Sequence, residues 1–118
     1  MKKQWNLGEL IRAVGSVPAD YPVVFKDGKA FASIGAYRGS NDDLAISAKK
    51  DVTVTADEVL VRLARVLNEE VGENEILMTG ETLLWRSQYG EMEQKAIVGA
   101  KVKSGVLIIK TKKREWDY

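Results

Sequence analysis

Two glycine-containing turns between runs of β-forming residues constrain the fold of this chain most. Residues 21–26 are rich in β-branched and aromatic side chains and are followed by Asp27-Gly28. An Asp-Gly pair in this position predicts a hairpin with a type I′ turn, because both central residues of that turn need a positive φ. Residues 96–102 and 106–109 flank Lys103-Ser104-Gly105 in the same way. Hairpins pair neighbouring strands antiparallel, so we expect a mostly antiparallel sheet.

Two further segments have the pattern of amphipathic helices. Asn6 and Glu9 have the spacing of a capping box, and Gly15 is expected to end this first helix. A second capping box at residues 55–58 begins a longer helix, which Gly72 is expected to end. Each helix has an apolar stripe at helical spacing. The stripes are Leu7, Leu10, Ile11 and Val14 in the first helix, and Val59, Leu60, Leu63, Leu67 and Val71 in the second.

The order of these elements predicts an α+β fold, with a mostly antiparallel sheet of about five strands and two helices packed on it. The predicted strands are 21–26, 29–37, 44–46, 96–102 and 106–109, whereas the pattern of residues 73–94 is ambiguous. A length of 118 residues fits one domain, 1–118. Its last part, 110–118, is expected to be a charged C-terminal tail.

The chain contains neither cysteine nor histidine. This excludes thiolate nucleophiles, thiolate metal sites, and the pairing of a nucleophile with an imidazole base. We therefore expect a protein that is not an enzyme and that needs no cofactor and no metal. An enzyme that uses only carboxylates, lysine or tyrosine stays open as an alternative, because environment can shift the pKa of these groups.

The charge balance and the lack of long apolar segments bear on location and partners. The 18 basic and 17 acidic residues give a net charge of +1, which argues against a protein whose main task is to coat nucleic acid but allows a local basic patch. No apolar stretch approaches the ~20 residues of a membrane span, and no signal-peptide pattern follows Met1. We expect the protein in the cytoplasm, with no membrane partner.

Two segments combine aromatic residues, an arginine and a glycine where a strand is expected to give way to a loop. An arginine can bind a phosphate through two parallel hydrogen bonds, an aromatic ring can stack on a base, and glycine allows a ligand to approach the backbone. If the segments meet in one cleft or across a dimer interface, they form a nucleotide-sized pocket. The candidate ligand-binding residues are Tyr37, Arg38, Gly39, Asn41, Trp85, Arg86, Gln88 and Tyr89.

Two structural alternatives stay open. Tyr37 and Trp85 could be core aromatics, with the neighbouring arginines pairing with surface acids. The last residues, 110–118, have a cluster of basic residues beside Trp116 and Tyr118. That mixture suits phosphates and stacked bases, but it also suits an edge strand protected by charge.

Several strings in the chain resemble small uncharacterised phage proteins. They include residues 7–11, residues 22–25 with Asp27-Gly28, Tyr37-Arg38-Gly39, residues 83–85 and residues 96–99, and the resemblance spans roughly residues 7–109. It implies a phage or prophage accessory protein. Such proteins, when they lack catalytic residues, often counter host defence.

The resemblance leads to an expected function. The protein would be a homo-oligomer that binds and sequesters a nucleotide-derived immune signal of the host cell, such as a cyclic nucleotide or a cyclic ADP-ribose type of ligand. The main alternative is an inhibitor that covers the surface of a host defence effector such as a CRISPR complex. A structural role in the virion is a further option.

Overall fold

Six strands and two helices form the part of the chain that the computed structural model describes, residues 3–36, 43–68, 81–88 and 91–113. The predicted α+β fold with a mostly antiparallel sheet is confirmed, with six strands in place of about five. The additional strand lies in the segment whose pattern was ambiguous. The helices are α1 (Leu7–Gly15) and α2 (Ala56–Asn68), and the strands are β1 (Val23–Phe25), β2 (Ala30–Ala36), β3 (Asp43–Lys49), β4 (Leu83–Gln88), β5 (Glu91–Lys103) and β6 (Val106–Lys113).

The strands close into a barrel in the order in which they occur in the chain. Four of the six pairings are antiparallel, but β3 pairs with β4 and β1 pairs with β6 in parallel. The second parallel pairing closes the barrel and sets Val24 beside Ile108. Closure gives each of the six strands two neighbours, which protects the backbone groups that an open sheet edge would expose.

Helix α1 begins with the predicted capping box. The Asn6 side chain accepts a hydrogen bond from the Glu9 N–H at 2.9 Å, and the Asn6 N–H donates to the Glu9 carboxylate at 3.2 Å. These bonds satisfy two of the N–H groups that a helix start leaves unpaired. The helix ends at Gly15, as predicted, and buries Leu7, Leu10 and Val14.

The start of α2 differs from the predicted capping box. The Thr55 N–H donates to the Glu58 carboxylate at 3.2 Å, which is one half of the box. The Thr55 hydroxyl donates to the Asp57 carboxylate and does not accept from the backbone. A hydrogen bond to a charged acceptor is stronger than one to a neutral acceptor, so the Asp57 carboxylate orients the Thr55 hydroxyl. The predicted end of the helix at Gly72 lies outside the described residues.

The two hairpin turns also differ from each other. At Asp27-Gly28, Gly28 has φ +87° but Asp27 does not have a positive φ, so the predicted type I′ turn is wrong. The Gly28 N–H instead donates to the Phe25 carbonyl at 2.9 Å, and a single left-handed glycine completes the turn. The other hairpin does have the type I′ pattern, with φ of 52° at Ser104 and 77° at Gly105.

The hydrophobic core fills the barrel and continues between the barrel and the helices. The helices pack on each other, α1 also contacts β5, and α2 also contacts β2. Backbone hydrogen bonds fix the segment before α1, because the Trp5 N–H donates to Ile97 and the Trp5 carbonyl accepts from Leu84. The fully buried barrel side chains include Phe25, Phe31, Leu44, Ile46, Leu84, Ile97 and Ile109.

Candidate functional site

One end of the barrel has an inward-facing group of charged side chains above the apolar core. Strands β1, β4 and β6 end there and β5 begins there, because β1, β4 and β6 run in the same direction and β5 runs against them. A cavity of about 370 Å³ opens at this end. We call it the barrel mouth, lined by Lys26, Asp27, Arg86, Lys95, Thr111 and Lys113.

Three cations of the mouth stand in one row across three neighbouring strands. Arg86 on β4 pairs directly with Lys95 on β5, and Lys95 pairs directly with Lys113 on β6. Directly opposed side chains lie on the same face of a sheet, about 5 Å apart at their Cβ atoms, and like charges in such pairs are destabilising. The register of the barrel therefore concentrates positive charge at the mouth.

Arg86 is the buried member of this row. Its side chain is only 4% exposed, and its Nη2 donates to Oδ2 of Asp27 at 2.7 Å. Its Cζ lies 4.6 Å from the centre of the Phe25 ring, an arrangement in which the ring face attracts the cation. The Nε of Arg86 is also buried and has no hydrogen-bond partner among the described residues. A buried charged donor without a partner costs free energy, so within the described residues the hydrogen bonding of Arg86 is incomplete.

The hairpin turn after β1 holds Asp27 against Arg86. The Oδ1 atom of Asp27 accepts from the Lys29 N–H at 3.1 Å, and the left-handed Gly28 between these residues allows the bend. Partial burial raises the pKa of Asp27, but the hydrogen bonds from Arg86 and Lys29 and their positive charges outweigh it. The net pKa of Asp27 is below its ordinary value, so Asp27 is ionised at neutral pH.

Comparisons with known protein families, curated proteins and solved structures found no match. No helix in the described part of the chain is long and apolar enough to cross a membrane. Within that same part, no group of three or more acidic side chains is placed to hold a metal ion.

The predicted site residues Trp85 and Arg86 lie on opposite faces of β4. Arg86 points into the barrel with Leu84, while Trp85 packs with Ala96 and Val98 in a separate small cluster. Adjacent strand residues alternate in this way, so the two side chains do not line one cavity. Trp85 is 3% exposed, as the structural alternative of a packed aromatic residue expects.

The other predicted site residues are described in part or not at all. Tyr37, Arg38, Gly39, Asn41 and Tyr89 lie outside the described residues. For Gln88 the structure describes the backbone, which pairs with Glu91 at the mouth end of β4. Their role in ligand binding stays a prediction.

The strands that flank residues 37–42 place the ends of this segment away from the mouth. Strand β3 begins at Asp43, which pairs with Leu83 at the start of β4. Arg86 lies further along β4, and Gln88 ends that strand. At about 3.3 Å per residue, the start and the end of β4 are roughly 16 Å apart. The two predicted segments are thus anchored at opposite ends of the same barrel.

Most of the mouth was not predicted as a site. The sequence indicates only a turn at Asp27, and no pattern singles out Lys95 or Thr111. Lys113 belongs to the basic cluster of residues 110–118, for which phosphate binding and a charged edge strand both stay open. Nothing in the local sequence pairs Asp27 with Arg86, because that contact joins residues 59 positions apart. The alternation of lysines in Lys101-Val102-Lys103 and Lys110-Thr111-Lys112 puts several cations on one face of a hairpin, but that is its outer face and not the mouth.

Proposed function

We propose that this chain is a non-catalytic binding domain that takes a phosphate-bearing, nucleotide-derived ligand at the barrel mouth. One observation carries the proposal. The buried Arg86, with an Nε that lacks a described partner, is aligned with Lys95 and Lys113 in a row of three cations. Asp27 is the only carboxylate among the described residues that line this cavity.

Electrostatics explain why an anion suits this site. Opposed like charges on neighbouring strands cost free energy, and an anion among them would convert that repulsion into attraction. A guanidinium offers phosphate oxygens several donors in one plane, and lysines add mobile point charges. Among the described contacts of the Arg86 guanidinium only Nη2 is engaged, by Asp27, so the group keeps further donors for a ligand oxygen.

The chemistry of the mouth supports binding more than catalysis. A general base works best when its pKa is near the working pH, but the pKa of Asp27 is lowered by its neighbours. Thr111 is the one hydroxyl residue that lines the described cavity, and an unactivated hydroxyl is a weak nucleophile. Thr111 suits the recognition of a ligand as a neutral hydrogen-bond partner.

The resemblance to phage accessory proteins supports a role of this binding in countering host defence. A protein that binds a nucleotide-derived immune signal without altering it would lower the free concentration of that signal in the host cytoplasm. A cyclic nucleotide or a ligand of the cyclic ADP-ribose type has the required phosphates. In a homo-oligomer, Tyr37, Arg38, Gly39 and Asn41 would join the site from a second copy, since this segment is anchored at the opposite end of the barrel. Gln88 and Tyr89 would contribute from the mouth end of β4.

Calorimetric titration with pyrophosphate, adenosine diphosphate, ADP-ribose and a cyclic dinucleotide tests the proposal. The wild-type chain should bind at least one of these anions, and Arg86→Lys should weaken that binding by about tenfold, because lysine loses the planar set of donors. Arg65→Lys is the matched control, since Arg65 is exposed on α2 and should leave affinity unchanged.

Urea unfolding shows whether each variant is folded. Equal affinity of a folded Arg86→Lys variant and the wild type would contradict the proposal, as would failure of the wild type to bind any of the four anions. The second result, together with a stoichiometric protein captured from host lysate, would instead favour the inhibitor of a defence effector.

A further inference from the structure

A second concave surface lies on the outer face of the β5–β6 hairpin. It encloses about 600 Å³ and is lined by five lysines, with Val98, Ile108 and Thr111 between them. None of the described residues that line it is acidic. We call this surface the lysine groove, defined by Lys26, Lys101, Lys103, Lys110 and Lys112.

The register of the hairpin explains why these lysines share one face. Lys101 and Lys103 alternate along β5, and Lys110 and Lys112 alternate along β6, so each pair projects to the same side of its strand. Gly99 pairs with Lys110 and has no side chain. A Cβ atom at Gly99 would lie 3.8 Å from Cδ of Lys110, so the lysine stem crosses the glycine in van der Waals contact.

The lysine groove adjoins the barrel mouth. Lys26 and Thr111 line both cavities, so a ligand that occupies the mouth can continue into the groove without leaving the surface. From the level of Lys112 to the level of Val106, which pairs with Lys103, the groove runs roughly 20 Å at about 3.3 Å per residue. A mononucleotide would fill only part of this length.

The low net charge of the whole chain makes the concentration of cations at the mouth and the lysine groove more informative about their ligand. The net charge is only +1, yet the described residues of the mouth and the groove include eight cations and one carboxylate, Asp27. Acidic residues such as Asp57 and Glu58 lie on α2, away from both cavities. A nearly neutral protein that segregates its charge in this way presents a site for a polyanion and not a general preference for anions.

We infer that the ligand is a short single-stranded oligonucleotide, whose terminal phosphate enters the barrel mouth while its backbone follows the lysine groove. This inference rests on the proposed function and narrows its ligand class. A terminal phosphate suits the converging cations of the mouth, whereas successive backbone phosphates suit regularly spaced lysines. The apolar Ile108 and Val98 between the lysines offer contact to sugars or bases.

Fluorescence anisotropy with 5′-phosphorylated oligothymidylates of two, four and eight nucleotides, dye-labelled at the 3′ end, tests the inference. Pyrophosphate binding by calorimetry reports on the mouth alone. The affinity of the wild type should rise with length. The double variant Lys101→Gln/Lys103→Gln should bind the octamer at least about tenfold more weakly, with a salt slope reduced by about 1.4 for two lost phosphate contacts. Its affinity for pyrophosphate should stay at the wild-type value.

The matched control is Lys49→Gln/Lys50→Gln, which removes two exposed lysines that line neither cavity and should bind like the wild type. Affinity independent of length, with pyrophosphate binding intact, would overturn the oligonucleotide inference and leave the proposed function standing. Absence of binding to the oligonucleotides and to all four anions of the calorimetric series would overturn both the oligonucleotide inference and the proposed function. Binding of polyglutamate that Lys101→Gln/Lys103→Gln weakens, without oligonucleotide binding, would also overturn the inference, because it would assign the groove to an acidic protein surface.

Discussion

The Nη2 atom of Arg86 lies 2.7 Å from Oδ2 of Asp27, and this ion pair joins strand β4 to the turn that follows β1. The two side chains differ in exposure, with 4% for Arg86 and 41% for Asp27. The cation is thus the buried partner, and the carboxylate is the more exposed one. Because of this asymmetry, removal of the Arg86 charge and removal of the Asp27 charge should affect stability and ligand binding differently.

Replacing Asp27 by asparagine should destabilise the protein and strengthen anion binding. The free energy of unfolding should fall by about 1–3 kcal/mol, because a buried guanidinium loses its charged partner. Pyrophosphate affinity should rise about fivefold, equivalent to the ~1 kcal/mol between two charges at 4 Å in water. Urea unfolding and calorimetry measure the two effects, and a loss of affinity would show that Asp27 helps to bind the ligand.

Arg86→Met separates a structural role of this arginine from a role in binding. Methionine is flexible and apolar, so it can replace the aliphatic part of the Arg86 side chain and contact the Phe25 ring. Water can hydrate the Asp27 carboxylate, which is partly exposed. Because buried ion pairs often contribute little net stability, we expect a free energy of unfolding within about 1 kcal/mol of the wild type, or higher. Pyrophosphate binding should be lost. A loss of more than about 3 kcal/mol would assign Arg86 a mainly structural role.

The pH dependence of stability should depend on Asp27. Its pKa in the folded chain is below the ordinary value of 3.8, so the unfolded chain takes up this proton first as the pH falls. The contribution of Asp27 to stability is therefore complete above about pH 3.8 and is lost as the pH falls through the lower folded-state pKa.

Urea unfolding of the wild type and Asp27→Asn between pH 6 and pH 2.5 should show this loss as a shrinking difference. The pKa of Asp57 is also lowered, chiefly by the hydrogen bond from the Thr55 hydroxyl, but Asp57 is present in both proteins and cancels in the comparison. A difference that stays constant over the whole range would contradict the assigned role of Asp27.

The turn of the β5–β6 hairpin lies at the end of the lysine groove that is away from the barrel mouth. A substitution in this turn should stabilise the protein. Ser104 has φ 52°, a left-handed conformation that asparagine adopts more readily than serine. Ser104→Asn would create the Asn-Gly pair preferred by type I′ turns and should raise the free energy of unfolding by about 0.5 kcal/mol. Thermal unfolding measures this gain, and pyrophosphate affinity should not change because the turn is far from the mouth. A lower melting temperature would contradict this reading of the turn.

The sequence predicted several features that depend on neighbouring residues, although the equally local type I′ turn at Asp27-Gly28 was wrong. The capping box of α1 joins residues three positions apart, and its apolar stripe follows helical spacing, so both could be recognised from the sequence. Strand β4 was harder to predict because Leu83, Leu84 and Trp85 do not alternate with polar residues. The structure supplies the reason, since Leu84 faces the barrel core while Trp85 packs on the other face with Ala96 and Val98.

The site depends on contacts that sequence spacing does not specify. Barrel closure pairs Val24 with Ile108, and the mouth exists only because this pairing brings β1 beside β6. The sequence indicated Arg86 as a ligand residue, but it did not indicate Asp27 or Lys95 as its neighbours. It also grouped Trp85 with Arg86, although consecutive residues of a strand point to opposite faces.

The Nε–H group of Arg86 provides the most direct test of the central claim that this buried arginine binds the phosphate of a ligand. In a ¹⁵N-labelled protein, its resonance can be assigned by its disappearance in Arg86→Lys. On titration with adenosine diphosphate, we predict that the Nε–H proton of Arg86 shifts downfield and exchanges more slowly with water, while the Nε–H resonance of Arg65 does not change. An unchanged Arg86 resonance at saturating ligand would contradict the account.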